Sequence, residues 1–166
     1  MEDQAYKQSQ LLAKHLREVF YGGNWTSVNC KDLLSDISIH QATKKIEDLN
    51  TIAVLVFHIH YYIKAVLKVM QGGPLDAHDR YSFDLSPLKT EEDWKEMINQ
   101  LLTDAELLAQ EIEKLNEEQL ASNLADPKYG SIQRNIIGII EHTHYHLGQI
   151  ALLKKLVNTE IGRAHV

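Results

Sequence analysis

His142 and His146 are four residues apart in a segment whose apolar residues recur at helical spacing. At about 100° per residue, positions four apart differ by roughly 40° around a helix, so both imidazoles leave the same face on adjacent turns. Gln149 falls on that face, whereas His144 points to the opposite side. Two histidines at this spacing are a familiar metal-binding pair. We therefore predict a metal site on this face.

The competing interpretation is that both residues are hydrogen-bonded core histidines. They lie between Ile139 and Ile150 in an apolar seam, where an unpaired polar group costs about 1–3 kcal/mol. A metal ion would satisfy one ring nitrogen of each histidine, and an acceptor near the site would satisfy the other. A second histidine cluster in another apolar segment favours the metal.

That second cluster is His58 and His60, and either could supply a third ligand. His58 shares a helical row with Leu55 and Tyr62, and His60 shares one with Lys64. Both rows are largely apolar, so periodicity does not choose between them. The lysine slightly favours His58 as the inward residue.

Three neutral imidazoles leave coordination positions open, as in catalytic rather than structural sites. The all-nitrogen set suits zinc, nickel, iron or copper and does not select among them. We expect a divalent metal as cofactor, with zinc or nickel ahead of iron or copper. A di-iron carboxylate bundle needs two Glu-x-x-His motifs, and the sequence offers one, from Glu141 to His144. Cys30 is the only cysteine, which excludes a zinc finger.

The composition predicts one soluble domain over residues 1–166. The net charge of −6 and the absence of a basic stripe exclude nucleic acid and anionic membranes as expected partners. One cysteine and an N-terminus without signal-peptide character predict a cytoplasmic protein. The apolar run from Ile52 to Met70 contains histidines and lysines, so we expect a core helix rather than a membrane span.

Glycine and proline divide the chain into four long helical stretches without strand alternation. Ser38 and Thr90 are predicted helix caps, and Trp25 and Trp94 are predicted to pack in the interior. The fold class predicted is an all-α, up-down four-helix bundle with a long loop, residues 75–89, between helices 2 and 3. The four stretches are residues 3–21, 51–70, 90–115 and 131–159.

Two segments resemble the DinB/YfiT-like superfamily of metal-dependent bundles. The second helix carries Leu-Val-Phe-His-Ile, residues 55–59, where that superfamily has a single ligand histidine. Its last helix typically reads His-x-x-Tyr-His-x-Gly-Gln-Ile, which is matched here by His142, Tyr145, His146, Gly148, Gln149 and Ile150.

The resemblance implies a four-helix bundle with a mononuclear site of His58, His142 and His146, often in a homodimer. It selects His58 over His60. Some members of the superfamily are transferases or isomerases that use low-molecular-weight thiols, which implies a small-molecule substrate.

Three functions follow as hypotheses. The first is a thiol-dependent S-transferase, in which the metal lowers the pKa of a bound thiol or water and Tyr145, Gln149 and Tyr62 are candidates to orient the reactants. The second is a metal-dependent hydrolase, which needs a carboxylate base; Glu141 is nearest in sequence but is expected to point away. The third is a non-catalytic, metal-binding dimeric module.

Overall fold

The computed structural model describes the backbone of residues 7–164 and the side chains of residues 7–159. Within this range there is no strand, and an isolated bridge joins Asn123 to Ser131. The predicted all-α class is therefore confirmed. The helices are α1 (Gln8–Tyr21), α2 (Cys30–Leu34), α3 (Ile39–Thr43), α4 (Ile52–Met70), α5 (Glu91–Glu113), α6 (Glu117–Ala121) and α7 (Ile132–Ala164).

Four of these helices are long and match the four predicted stretches. Helix α4 packs against α5 on one side and α7 on the other, and α1 contacts both α5 and α7. The predicted start of the first stretch, at residue 3, lies outside the described residues. The up-down order of the long helices and the single domain over 1–166 stay predictions.

Side-chain caps fix where several helices begin. The Ser38 hydroxyl accepts a hydrogen bond from the Gln41 amide, and the Gln41 side chain accepts one from the Ser38 amide. Thr90 and Asp93 form the same reciprocal arrangement at the start of α5. Each cap satisfies amide groups that have no partner inside the helix, so both predicted caps are confirmed.

Helix α4 is apolar on nearly all sides because it has packed neighbours on two sides. By length and composition it could cross a membrane, but 56% of the apolar 18-residue window that meets this criterion is buried inside the protein. A helix in the core of a bundle has this character without any membrane. The cytoplasmic location stays a prediction.

The two tryptophans behave differently. Trp94 is 1% exposed, and its ring N–H donates to the Ile37 carbonyl at 2.6 Å. The prediction that Trp25 packs is wrong, because its side chain is fully exposed. Trp25 lies in a tight turn in which the Asn24 amide donates to two carbonyls, those of Glu18 and Val28, and the turn directs the indole outward.

Candidate metal centre

Three imidazoles from two helices meet between α4 and α7. The Nε2 atom of His142 lies 3.0 Å from Nε2 of His58 and 3.1 Å from Nε2 of His146. One ligand atom from each residue lies within 4.8 Å of the others. The one-turn spacing of His142 and His146 aligns two of these rings, and the contact between α4 and α7 brings the third.

The other ring nitrogens show which way two of the imidazoles are protonated. Nδ1 of His58 donates to the Ser82 carbonyl at 3.2 Å, and Nδ1 of His146 donates to Oε1 of Gln149 at 2.7 Å. Carbonyl oxygens only accept, so both Nδ1 atoms carry the proton. The amide of Gln149 in turn donates to the Tyr145 hydroxyl. Neutral His58 and His146 therefore direct Nε2 lone pairs towards His142.

Burial keeps these rings uncharged. Burial lowers the pKa of His58, with a further lowering by His146, and it also lowers the pKa of His146. The pKa of His142 falls to about 4 because the ring is buried beside two other imidazoles. At neutral pH all three side chains are therefore in the form that binds metal ions.

The donor set fits a divalent cation. Nε2 of His142 carries at most one proton, and this proton can form a hydrogen bond to Nε2 of His58 or to Nε2 of His146. At least one of the two close nitrogen pairs therefore has no proton between its atoms. A divalent cation would accept a lone pair from each ring instead. Zn–N bonds are about 2.0–2.1 Å long, so two nitrogens on one ion lie at most about 4 Å apart; both Nε2 distances meet this limit.

The two additional histidines lie elsewhere. His60 is buried on the side of α4 that faces α5, where Nε2 donates to Asp104 at 2.7 Å. His144 is half-buried, and its pKa is lowered by burial and then by nearby His15. The structure thus brings His58, His142 and His146 together and leaves His60 and His144 out of the cluster.

The loop between α4 and α5 covers one side of the cluster. The Phe83 ring stacks on His58, with ring centroids 3.9 Å apart, and Ser82 supplies the carbonyl that accepts from the same imidazole. Tyr62 donates to Asp79 at 2.6 Å, and the His78 amide donates to the Tyr61 hydroxyl. These contacts attach the loop to α4.

Sequence reasoning missed the loop residues Asp79, Ser82 and Phe83. The sequence indicates an unusually long loop here, but its composition carries no periodicity that indicates which side chains turn inward. The consecutive tyrosines at 61 and 62, one turn after His58, were the available signal for a contact here.

A cavity of about 910 Å³ adjoins the cluster. His142 and Tyr62 form the wall nearest the histidines, and Asp79 lies beside them. The Tyr62 ring meets those of His58 and His142 edge-on, each at 5.1 Å between centroids. A small molecule in this cavity would therefore contact the imidazole cluster directly.

The candidate catalytic residues occupy different positions. Tyr62 borders the cavity, and its pKa is raised by burial and by the hydrogen bond to Asp79. Gln149 holds His146. Tyr145 is 64% exposed, its hydroxyl accepts from the Gln149 amide, and its ring meets the His146 ring edge-on at 4.9 Å between centroids. Glu141 is exposed and paired with Arg134, so it points away as expected.

Cys30 is remote from this chemistry. It is fully buried in the hydrophobic core, and burial raises the pKa of its thiol to about 12. A thiol of this kind is protonated at neutral pH and is a poor nucleophile.

Comparison with known proteins agrees with the resemblance. The sequence model of the DinB superfamily matches residues 24–150, a span that contains all three clustered histidines. Neither the curated proteins nor the solved structures yielded a match.

Proposed function

The chain belongs to the DinB superfamily, and on that premise we propose that it is a divalent-metal-dependent enzyme acting on a small molecule. The ligands proposed are His58, His142 and His146. One observation carries the proposal, namely the convergence of three Nε2 atoms beside a cavity. Zinc or nickel is the proposed metal, and iron or copper suits the same donors.

The proposed reaction is a thiol-dependent S-transfer. A divalent ion held by three neutral imidazoles would supply Lewis acidity, which lowers the pKa of a bound thiol or water towards about 7. Tyr62 orients the Asp79 carboxylate through a 2.6 Å hydrogen bond. Asp79 takes the proton from the S–H group, the sulfur forms a bond to an electrophilic carbon, and the leaving group departs with its bonding electrons.

Gln149 and Tyr145 have a positioning role in this proposal. Gln149 accepts from Nδ1 of His146 at 2.7 Å, which keeps Nε2 directed at the cluster. Such partners fix ring orientation and raise the basicity of a ligand. Tyr145 holds the Gln149 amide in the required orientation.

A metal-dependent hydrolase is the second candidate, because Asp79 offers the carboxylate that this reaction needs. Asp79 lies in the cavity wall with Tyr62 and His142. In hydrolysis the same carboxylate would accept a proton from the attacking water instead of a thiol. The two candidates share a site and differ in the nucleophile that enters it.

The test has two parts. Elemental analysis of the purified protein should give about one divalent ion per chain, and His146→Ala should lose it. The matched control is His144→Ala, on the same helix but outside the cluster, which should retain the ion. Full metal content in His146→Ala would contradict the ligand assignment.

Turnover is then measured with 1-chloro-2,4-dinitrobenzene and a panel of small thiols. The proposal expects loss of free thiol, with release of chloride, that stops on chelation and returns when the metal is restored. Asp79→Asn should lower the rate while the metal content stays constant. No turnover with any thiol, together with ester cleavage by the metal-loaded protein, would favour the hydrolase.

We also propose that two copies of the chain associate through α7. Tyr145, Leu152 and Leu156 are large apolar residues that remain exposed, and their spacing of seven and four places them on one face. Light scattering should report a dimer, and Leu152→Glu should shift it towards the monomer. A monomeric wild-type chain would end this part of the proposal, and the non-catalytic dimeric alternative with it.

A further inference from the structure

The cavity beside the histidine cluster contains more positive than negative charge. Two arginines, Arg80 and Arg134, line it together with one carboxylate, Asp79. The whole chain carries a net charge of −6, so an anion is repelled by most of the surface. A local excess of one positive charge in a recess is suited to attracting a monoanion.

Arg134 lies on the same row of α7 as the proposed ligand His142. Between them is Gly138, and a Cβ added there would lie 3.3 Å from Nη1 of Arg134. The guanidinium therefore rests over the glycine, one turn from His142. Since four residues rise about 6 Å along a helix, a group bound by Arg134 is within one small molecule's length of the cluster.

Arg134 forms only a weak ion pair with its present partner, Glu141. Nη1 lies 3.5 Å from Glu141, and both side chains are about two-thirds exposed. Ion pairs exposed to this degree are weak because water competes with them. Arg80 rests against the Tyr81 ring, 4.4 Å from its centroid, which leaves its planar N–H groups able to donate to an oxygen anion.

Apolar side chains form much of the rest of the cavity. They come from α4, from α7 and from the loops, and they are Ala65, Val66, Leu75, Leu124 and Ile139. A ligand that matches this lining has an apolar body and one anionic end. The fork geometry of a guanidinium pairs best with a flat carboxylate.

We propose that this cavity binds a small monocarboxylate with an apolar body, whose carboxylate pairs with Arg134 and Arg80. The inference rests on the proposed function in that it takes this ligand to be the substrate of the metal centre. It assigns the two arginines to specificity and leaves the chemistry to the histidine cluster and Asp79.

The experiment is a ligand-observed NMR titration of the full chain with 4-phenylbutyrate and its neutral analogue 4-phenylbutyramide. Both are titrated against metal-loaded and chelator-treated protein. Since a charge-assisted pair is about twice as strong as a neutral hydrogen bond, the acid should bind about tenfold more tightly than the amide. This preference should persist without metal.

Three variants locate the effect. Arg134→Gln and Arg80→Gln should each reduce the preference for the acid while binding of the amide is unchanged. Glu141→Gln should increase it, because the competing carboxylate is removed. Lys128→Gln is the matched control, an exposed cation next to the cavity residue Tyr129 but outside the lining, and it should leave the preference intact. Circular dichroism confirms that each variant is folded.

The outcomes separate this inference from the proposed function. Equal binding of acid and amide, or a preference that neither arginine variant alters, overturns the inference. Acid binding that disappears on chelation places the carboxylate on the metal and also overturns it, while the metal centre stands. If the wild-type protein takes up no metal but still prefers the acid in an arginine-dependent way, the carboxylate site is supported and the metal centre is rejected.

Discussion

His58 and His60 are two residues apart on α4 and are buried to the same degree, at 5% and 6% exposure. Their surroundings differ. Nε2 of His60 donates to the Asp104 carboxylate at 2.7 Å, so its polar atom has a protein partner. Nε2 of His58 instead faces the Nε2 atom of His142 at 3.0 Å.

The difference shows two solutions to burying an imidazole. Residues two apart on a helix point about 200° from each other, so His60 faces α5 and His58 faces α7. A carboxylate on α5 satisfies the first ring within the protein. Helix α7 offers only further imidazoles to the second, and we propose that a divalent cation completes that cluster.

The largest expected effect separates the two histidines by metal affinity. His58→Ala should weaken zinc or nickel binding by more than about 100-fold, since even residues that only orient a ligand contribute about 10–100-fold. His60→Ala, the matched control, should bind metal like the wild type. Calorimetric titration of chelator-treated protein measures both. Loss of binding in His60→Ala alone would reverse the assignment.

A somewhat smaller effect is expected at Gln149, which holds His146. Gln149→Ala should lower metal affinity by about 10-fold or more, because the ring of His146 becomes free to rotate or to change tautomer. The control is Gln133→Ala, also on α7 and also half-buried. Equal affinities for the two variants would mean that the His146–Gln149 hydrogen bond has no role in metal binding.

For stability we expect the opposite ranking, in which His60→Ala destabilises the protein more than His58→Ala does. In metal-free protein His60→Ala should lower the free energy of unfolding by about 2 kcal/mol, because it leaves the partly buried Asp104 without its donor. His58→Ala should cost less, since it relieves the crowding of three imidazole nitrogens. Urea denaturation followed by circular dichroism gives both values, and a greater loss from His58→Ala would contradict the comparison.

The smallest effect is expected for Asp104→Asn. An amide oxygen still accepts from Nε2 of His60 but without the charge, so the free energy of unfolding should fall by about 1 kcal/mol. Metal affinity should not change, because Asp104 lies on the α5 side of α4. A change in metal affinity would show that the two sides of α4 are coupled.

Much of the fold and part of the site could be predicted from local sequence. Helical periodicity placed the four long helices, and residue chemistry identified the caps at Ser38 and Thr90. The same periodicity placed His142, His146 and Gln149 on one face. These features depend on the 3.6-residue turn and on hydrogen bonds between near neighbours, which a short segment determines by itself.

The packing of distant segments decided the rest. Periodicity did not choose between His58 and His60, because α4 is buried on both sides and both rows are apolar. The DinB resemblance selected His58. The contact of α4 with α7 is what places His58 in the cluster. The positions of Asp79 and Phe83 and the exposure of Trp25 likewise depend on how loops settle on the helices. Such contacts join residues far apart in the chain, and no local pattern encodes them.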